Sequence, residues 1–253
     1  MIKIIYGKSA EDAGVNGANI ITDLLKAKKN AVLGLATGSS PIGMYKELIA
    51  RYEAGEISFA DVKTVNLDEY VGLSPEHDQS YSYFMHDNLF NHVDIKEENT
   101  NLPSGLAKDP AAECARYDAV IASMGGVDVQ VLGIGNNGHI GFNEPAAAFS
   151  KGTGLIDLTD STIDANKRFF ATREDVPTQA LSMGVGQIMN ADSILLLAMG
   201  KGKAEILEKS LFGDVTPEVP ASILQFFKGD VYVCADEDAL SVIMERHPEA
   251  VKK

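Results

Sequence analysis

The stretch Gly133-Ile134-Gly135-Asn136-Asn137-Gly138-His139-Ile140-Gly141-Phe142-Asn143-Glu144-Pro145 gathers the groups most suited to proton transfer. An imidazole titrates near neutrality, so His139 with the carboxylate Glu144 makes a natural acid–base pair. Four glycines allow a tight backbone that presents Asn137, His139 and Glu144 into a pocket. The same stretch satisfies the GxGxxG spacing of a dinucleotide-binding turn, but its context removes that reading. Such a turn opens a helix at the third glycine, whereas this one continues through Gly141 and stops at Pro145. A zinc site would need further histidines at ligand spacing, and His77, His86, His92 and His247 are scattered. Neither a metal nor an organic cofactor is expected.

Three further turns add chemistry. Ala36-Thr37-Gly38-Ser39-Ser40-Pro41 sets hydroxyls, a flexible Gly38 and a helix start in one place. Ser39 or Ser40 is expected to cap that helix and Pro41 to begin it. Amides, hydroxyls and the helix dipole there would converge on an anion such as phosphate. The GK[ST] ending of a Walker A loop is missing. Asp68-Glu69 ends an apolar run, and adjacent carboxylates point different ways, so one is expected to face the cleft. An Asp there serves as a general base if burial lifts its pKa towards neutrality, and the bland alternative is a helix cap. Local cations come from Lys167-Arg168 and from Lys201-Gly202-Lys203. A guanidinium fork or an ammonium would complete the anion site.

These groups must be positioned by the surrounding elements. Apolar β-rich runs at 2–6, 31–36, 62–67, 127–133, 194–199 and 231–235 alternate with helix-period segments at 11–28, 42–54, 80–90, 111–124, 203–211 and 238–247. Nearly all-apolar strands alternating with helices predict an α/β fold: one open, mainly parallel sheet covered by helices on both faces. Ligands then bind outside the carboxyl ends of the strands, where the turns above fall. No repeat or linker divides the chain, so a single domain over 1–253 is predicted. The polar stretch 146–176 breaks the rhythm and is expected to be a lid-like insertion.

Composition narrows the partners. Lys and Arg total 22 against 36 Asp and Glu, a net charge of −14 that repels nucleic acid and anionic membranes. The longest aliphatic run, at 194–199, is too short to span a bilayer. No signal-peptide pattern opens the chain, and Cys114 and Cys234 have no CxxC partner, which predicts a cytoplasmic protein with reduced thiols.

The motifs ATGSSP, NLDEYVGL, QSYSYFMHDNLF, GIGNNGHIGFNEP, NKRFF and GKGKA occur together and in order. In this the chain resembles the glucosamine-6-phosphate deaminases, over nearly its whole length. The resemblance implies a Rossmann-like three-layer sandwich with an active-site lid. It also implies conversion of glucosamine 6-phosphate and water to fructose 6-phosphate and ammonia, in amino-sugar catabolism. Residue by residue, it implies that Asp68 moves a proton between C2 and C1 of the open-chain sugar. His139 would open the pyranose ring, with Glu144 as its charged partner. Gly38, Ser39, Ser40, Arg168 and Lys203 would cradle the phosphate, with Tyr81 near the substrate.

Two departures stand out. Asn137 replaces an Asp found in some members, so Glu144 must supply more of the charge facing His139. Allosteric hexameric members carry basic residues shortly after FNEP. Here 147–156 holds small and apolar residues apart from Ser150, Lys151 and Thr153, and the chain stops sooner. A monomer or small homo-oligomer without allosteric activation is therefore expected, with a small sugar phosphate as its partner. A non-catalytic sensor joined to a transcription regulator would need a DNA-binding module, for which the chain lacks length and basic charge.

Overall fold

The computed structural model describes residues 1–252. In chain order the elements are β1 (Ile2–Gly7), α1 (Ala10–Ala27), β2 (Val32–Leu35), α2 (Ile42–Glu53), β3 (Lys63–Asn66), β4 (Asp68–Tyr70), α3 (Tyr81–Asn88), β5 (Thr100–Asn101), α4 (Pro110–Ser123) and β6 (Val129–Gly133). They continue with β7 (Gly154–Asp157), α5 (Asp160–Asn166), β8 (Gln179–Ser182), α6 (Val185–Ile188), β9 (Ser193–Ala198), α7 (Ala204–Phe212), β10 (Asp230–Asp236), α8 (Glu237–Arg246) and β11 (Val251–Lys252).

Local sequence explains the helix starts. Ser9 accepts the amide of Asp12 at the head of α1, Asp109 accepts that of Ala112 ahead of Pro110, and Asp236 accepts that of Ala239 at α8. Each satisfies a donor that the first helical turn leaves free. α2 departs from expectation. Its cap position is Pro41, and neither Ser39 nor Ser40 bonds the helix. Pro41 already has helical φ and ψ (−82°, −8°), so the turn enters the helix without an extended cap residue. The two hydroxyls are left to face the cavity described below.

The main sheet has eight strands in the order β11-β1-β10-β9-β6-β2-β3-β5, every pairing parallel. All four residues of β2, and Ile194 to Ala198 in β9, are buried, although successive side chains point to opposite faces. Both faces are therefore covered, as the near-continuous apolar strands predict. The four central neighbours β9, β6, β2 and β3 deliver the four chemistry-bearing turns, all from their carboxyl ends.

A second sheet, in the order β4-β8-β7, is antiparallel and was not legible in the sequence. Its rows run Asp68–Ser182–Gly154 and Tyr70–Ala180–Ile156. It supports a small core of Tyr70, Phe142, Leu158, Ile163, Val176 and Ala180, with Tyr81 and Phe170 packed against it. The stretch 146–176 is thus β7 and α5 joined by short connections and resting on this second core. Among the described residues no helix is long and apolar enough to cross a membrane.

Candidate active site

A cavity of about 690 Å³ opens at the carboxyl ends of the central strands. One side is the β2–α2 turn, where Gly38 adopts φ +84° and leaves open space beside its Cα. A side chain at that φ would be strained, and the bare backbone lets a ligand come close. Ser39 and Ser40 line the same wall. Arg168 and Lys203 also line the cavity. Lys203 is placed by the turn after β9, whose Gly200 amide donates to both oxygens of Asp236, and its Nζ donates to Asn136 Oδ1 at 2.6 Å. Burial, and then the charge of Arg168, push the Lys203 ammonium below its usual range. Two cations sharing one wall create a demand for an anion between them.

Asp68 lines the same cavity. It is 6% exposed, and burial with the nearby Glu69 charge holds its carboxyl up to about 8. Its neighbour Glu69 turns away and accepts the amides of Tyr70, Tyr81 and Ser82, each at 2.9 Å, so it ties down the start of α3. One carboxylate thus faces the cavity while the other holds backbone. That placement brings Tyr81 against Tyr70 at 4.7 Å between centroids and stacks it on Phe142 at 6.1 Å. Tyr81 and Phe142 are part of the cavity wall.

The loop after β6 is held by its own bonds. The Gly135 amide donates to His139 O at 2.9 Å, and the Asn143 side-chain amide donates to Ile140 O and Met183 O, both at 2.8 Å. The imidazole lies directly over Gly135. A Cβ built there would sit 2.4 Å from its ring atoms, which is why the loop requires glycine at that point. Asn137 accepts the His139 amide through Oδ1 at 3.2 Å and donates through Nδ2 to Glu144 Oε2 at 2.5 Å. The other Glu144 oxygen stands 3.4 Å from His139 Nδ1, too long for a good hydrogen bond.

Glu144 corrects one expectation. It lies behind His139 and does not line the main cavity. It borders a smaller space of about 200 Å³ with Pro145, Phe149, Ile156 and Pro217. Burial raises its pKa, but His139, Thr162 and Asn137 outweigh that and bring it to about 2. It is a fixed negative charge beneath the imidazole, with no direct role at the cavity surface.

The structure therefore brings Gly38, Ser39, Ser40, Asp68, Tyr81, Asn137, His139, Arg168 and Lys203 around one cavity, with Glu144 directly behind. Thr162, Asn166 and Phe169 also line the cavity; Asn166 and Phe169 belong to the NKRFF motif, whereas sequence reading passed over Thr162. The one available signal was the capping pattern at Thr159, whose hydroxyl accepts the Thr162 amide and so starts α5 at that point.

A parallel sheet whose central turns converge on a cationic cradle and a buried carboxylate defines an α/β protein with its ligand cavity at the strand ends. The chain belongs to the family of glucosamine-6-phosphate isomerases and 6-phosphogluconolactonases, whose model matches residues 8–233. It is 54% identical over 236 residues to a glucosamine-6-phosphate deaminase of Lachnoclostridium phytofermentans, covering 93% of this chain and 100% of that one. A glucosamine-6-phosphate deaminase of Clostridioides difficile is 51% identical over 240 residues, covering 95% and 96%. Among solved structures, a monomeric glucosamine-6-phosphate deaminase superposes with a TM-score of 0.92 at 42% identity, covering 95% of this chain and 99% of that one. A 6-phosphogluconolactonase from Thermotoga maritima shares the fold, with a TM-score of 0.71 at 19% identity.

Proposed function

We propose that the chain is a glucosamine-6-phosphate deaminase that converts glucosamine 6-phosphate and water to fructose 6-phosphate and ammonia. The observation that carries this reading is the arrangement of Asp68 and the His139–Glu144 pair about one cavity with an anion cradle beside them. The names of the near relatives point the same way.

Gly38, Ser39, Ser40, Arg168 and Lys203 hold the phosphate, and Tyr81 and Phe142 wall the sugar chain. His139 has Nδ1 turned to Glu144, so Nε2 is the nitrogen left to exchange a proton with the ring oxygen and open the pyranose. In the open aldose, the Asp68 carboxylate removes the C2 proton and returns it to C1. O1 takes up a proton that the C2 ammonium gives up, so C1 becomes a hydroxymethyl group and C2 an iminium; water adds at C2 and ammonia leaves. A protonated amine at C2 would also favour the ionised form of Asp68, because an opposite charge at close range stabilises a buried carboxylate. In this reading 146–176 is a lid on a single domain, and its Asn166 and Arg168 reach the cavity. The protein is a monomer or small oligomer without allosteric activation, since 147–156 lacks a basic cluster.

The test is a coupled assay that follows ammonia and fructose 6-phosphate together, with and without N-acetylglucosamine 6-phosphate. Equal release of both products, at a rate the acetylated sugar leaves unchanged, is expected. Lactone hydrolysis or aldose isomerisation without ammonia would overturn the reading. In the same assay Gly135→Ala is expected to lower kcat by about a hundredfold, because its methyl displaces the His139 ring. Circular dichroism of that variant should match the parent. Full activity would show that the imidazole need not sit over residue 135.

A further inference from the structure

α5 reaches the acid–base pair from the cavity side. On its inner face the Thr162 hydroxyl donates to Glu144 Oε1, the same oxygen that stands 3.4 Å from His139 Nδ1. Thr162 in turn accepts from the Thr159 hydroxyl at 3.1 Å, and Thr159 is the cap of the helix. A chain of donors thus runs from the helix start to the carboxylate, each hydroxyl polarising the next.

The two Glu144 oxygens differ in what holds them. Oε2 takes Asn137 from its own loop, whatever α5 does. Among the described residues, Oε1 has only Thr162 beside the long contact to His139. With Thr162 in place the carboxylate is pinned at both ends and its plane is fixed against the imidazole. Without it, the oxygen facing His139 has no short hydrogen bond.

The rest of α5 is attached in a way that leaves Thr162 decisive. Asp160 and Asp164 lie one turn apart on the outer face, where Arg173 bridges them at 2.5 and 2.8 Å. Exposed ion pairs of this kind contribute little. Two residues further round the helix, roughly opposite, Thr162 is buried and Ile163 joins the second core. Seating α5 therefore depends on its inner face, and the polar part of that face ends on the Glu144 carboxylate behind His139.

We propose that Thr162 is a positioning residue that makes the Glu144–His139 pair competent only when α5 is seated over the cavity, so that ring opening waits for the lid. The reaction named here rests on the deaminase reading; the tie between α5 and Glu144 does not.

Two variants test it. Thr162→Val keeps the shape and removes the donor, and Thr162→Ser keeps the donor. Thr162→Val should lose roughly tenfold or more in kcat, the scale of one hydrogen bond to a charged group, with KM within about twofold. Thr162→Ser should recover to within about threefold of the parent. Independently of any substrate, amide hydrogen exchange in 160–166 should quicken about tenfold in Thr162→Val and stay parental in Thr162→Ser. Parental kcat in Thr162→Val, a rise in KM alone, a Ser variant as poor as the Val variant, or unchanged exchange would each overturn the proposal. If the parent itself releases no ammonia, the deaminase reading falls, and the exchange measurement still decides the tie.

Discussion

Asp68→Asn is expected to lower kcat by about a thousandfold, within the range of a lost general base, while inorganic phosphate still binds within about twofold. The two effects separate because Asp68 is not among the groups proposed to hold the phosphate, which are Gly38, Ser39, Ser40, Arg168 and Lys203. The same variant should be more stable than the parent, and only at higher pH. Burial and the Glu69 charge raise the folded carboxyl from 3.8 to about 8. In this interval the native state holds a proton that the unfolded chain releases, so stability falls as pH rises from about 4 to 8. An amide does not ionise and escapes this penalty. Melting at pH 8 should rise on the order of 5 °C in Asp68→Asn, and at pH 4 the two proteins should melt together. The parental kcat/KM should rise with pH through the same interval, because the ionised form is the base. A variant that turns over normally would remove Asp68 from proton transfer; one equally stabilised at both pH values would remove the burial argument.

His139→Gln should lower kcat/KM for the cyclic substrate by about a thousandfold and spare an analogue that cannot cyclise. The 4,5-dideoxy sugar phosphate is such an analogue, because it has no hydroxyl placed to close a five- or six-membered ring. The imidazole is fixed from two sides, over Gly135 and against Glu144, and glutamine reproduces neither its shape nor its titration. Loss confined to the cyclic substrate assigns His139 to ring opening. Equal loss on both substrates would place it in a later step. The Asn137 position bears on the same chemistry. Its Nδ2 donates to Glu144 at 2.5 Å, which a second carboxylate at 137 could not do unless one of the pair were protonated. Asn137 therefore keeps a single negative charge beneath the imidazole.

Much of this was legible because long apolar strands and capped helices obey local rules. The central strands appeared within one or two residues of their observed ends, and with them the turns that gather the site. The second sheet was hidden for a physical reason. β4 is Asp68-Glu69-Tyr70, too short and too charged to read as a strand, and what makes it one is its antiparallel pairing with β8. The Gly154–Asp157 strand was masked in the same way by the polar stretch around it. Ser39 and Ser40 looked like caps because hydroxyls before a proline usually are, whereas the helical φ and ψ of Pro41 removed the need. The position of Glu144 behind His139 follows from the return of the chain at Ile140–Asn143, a tertiary detail that spacing does not encode.

The β4-β8-β7 ribbon sets a rule for exchanging parts among relatives. Asp68 shares its cross-strand row with Ser182 and Gly154, so the proposed base and the root of the stretch over the cavity lie side by side in one small sheet. Transplanting 146–176 alone would set a foreign strand edge against a resident β8 and shift the row that aims Asp68. Residues 68–70, 154–157 and 179–182 form one cassette, and a chimera that moves all three together keeps base and cover in register.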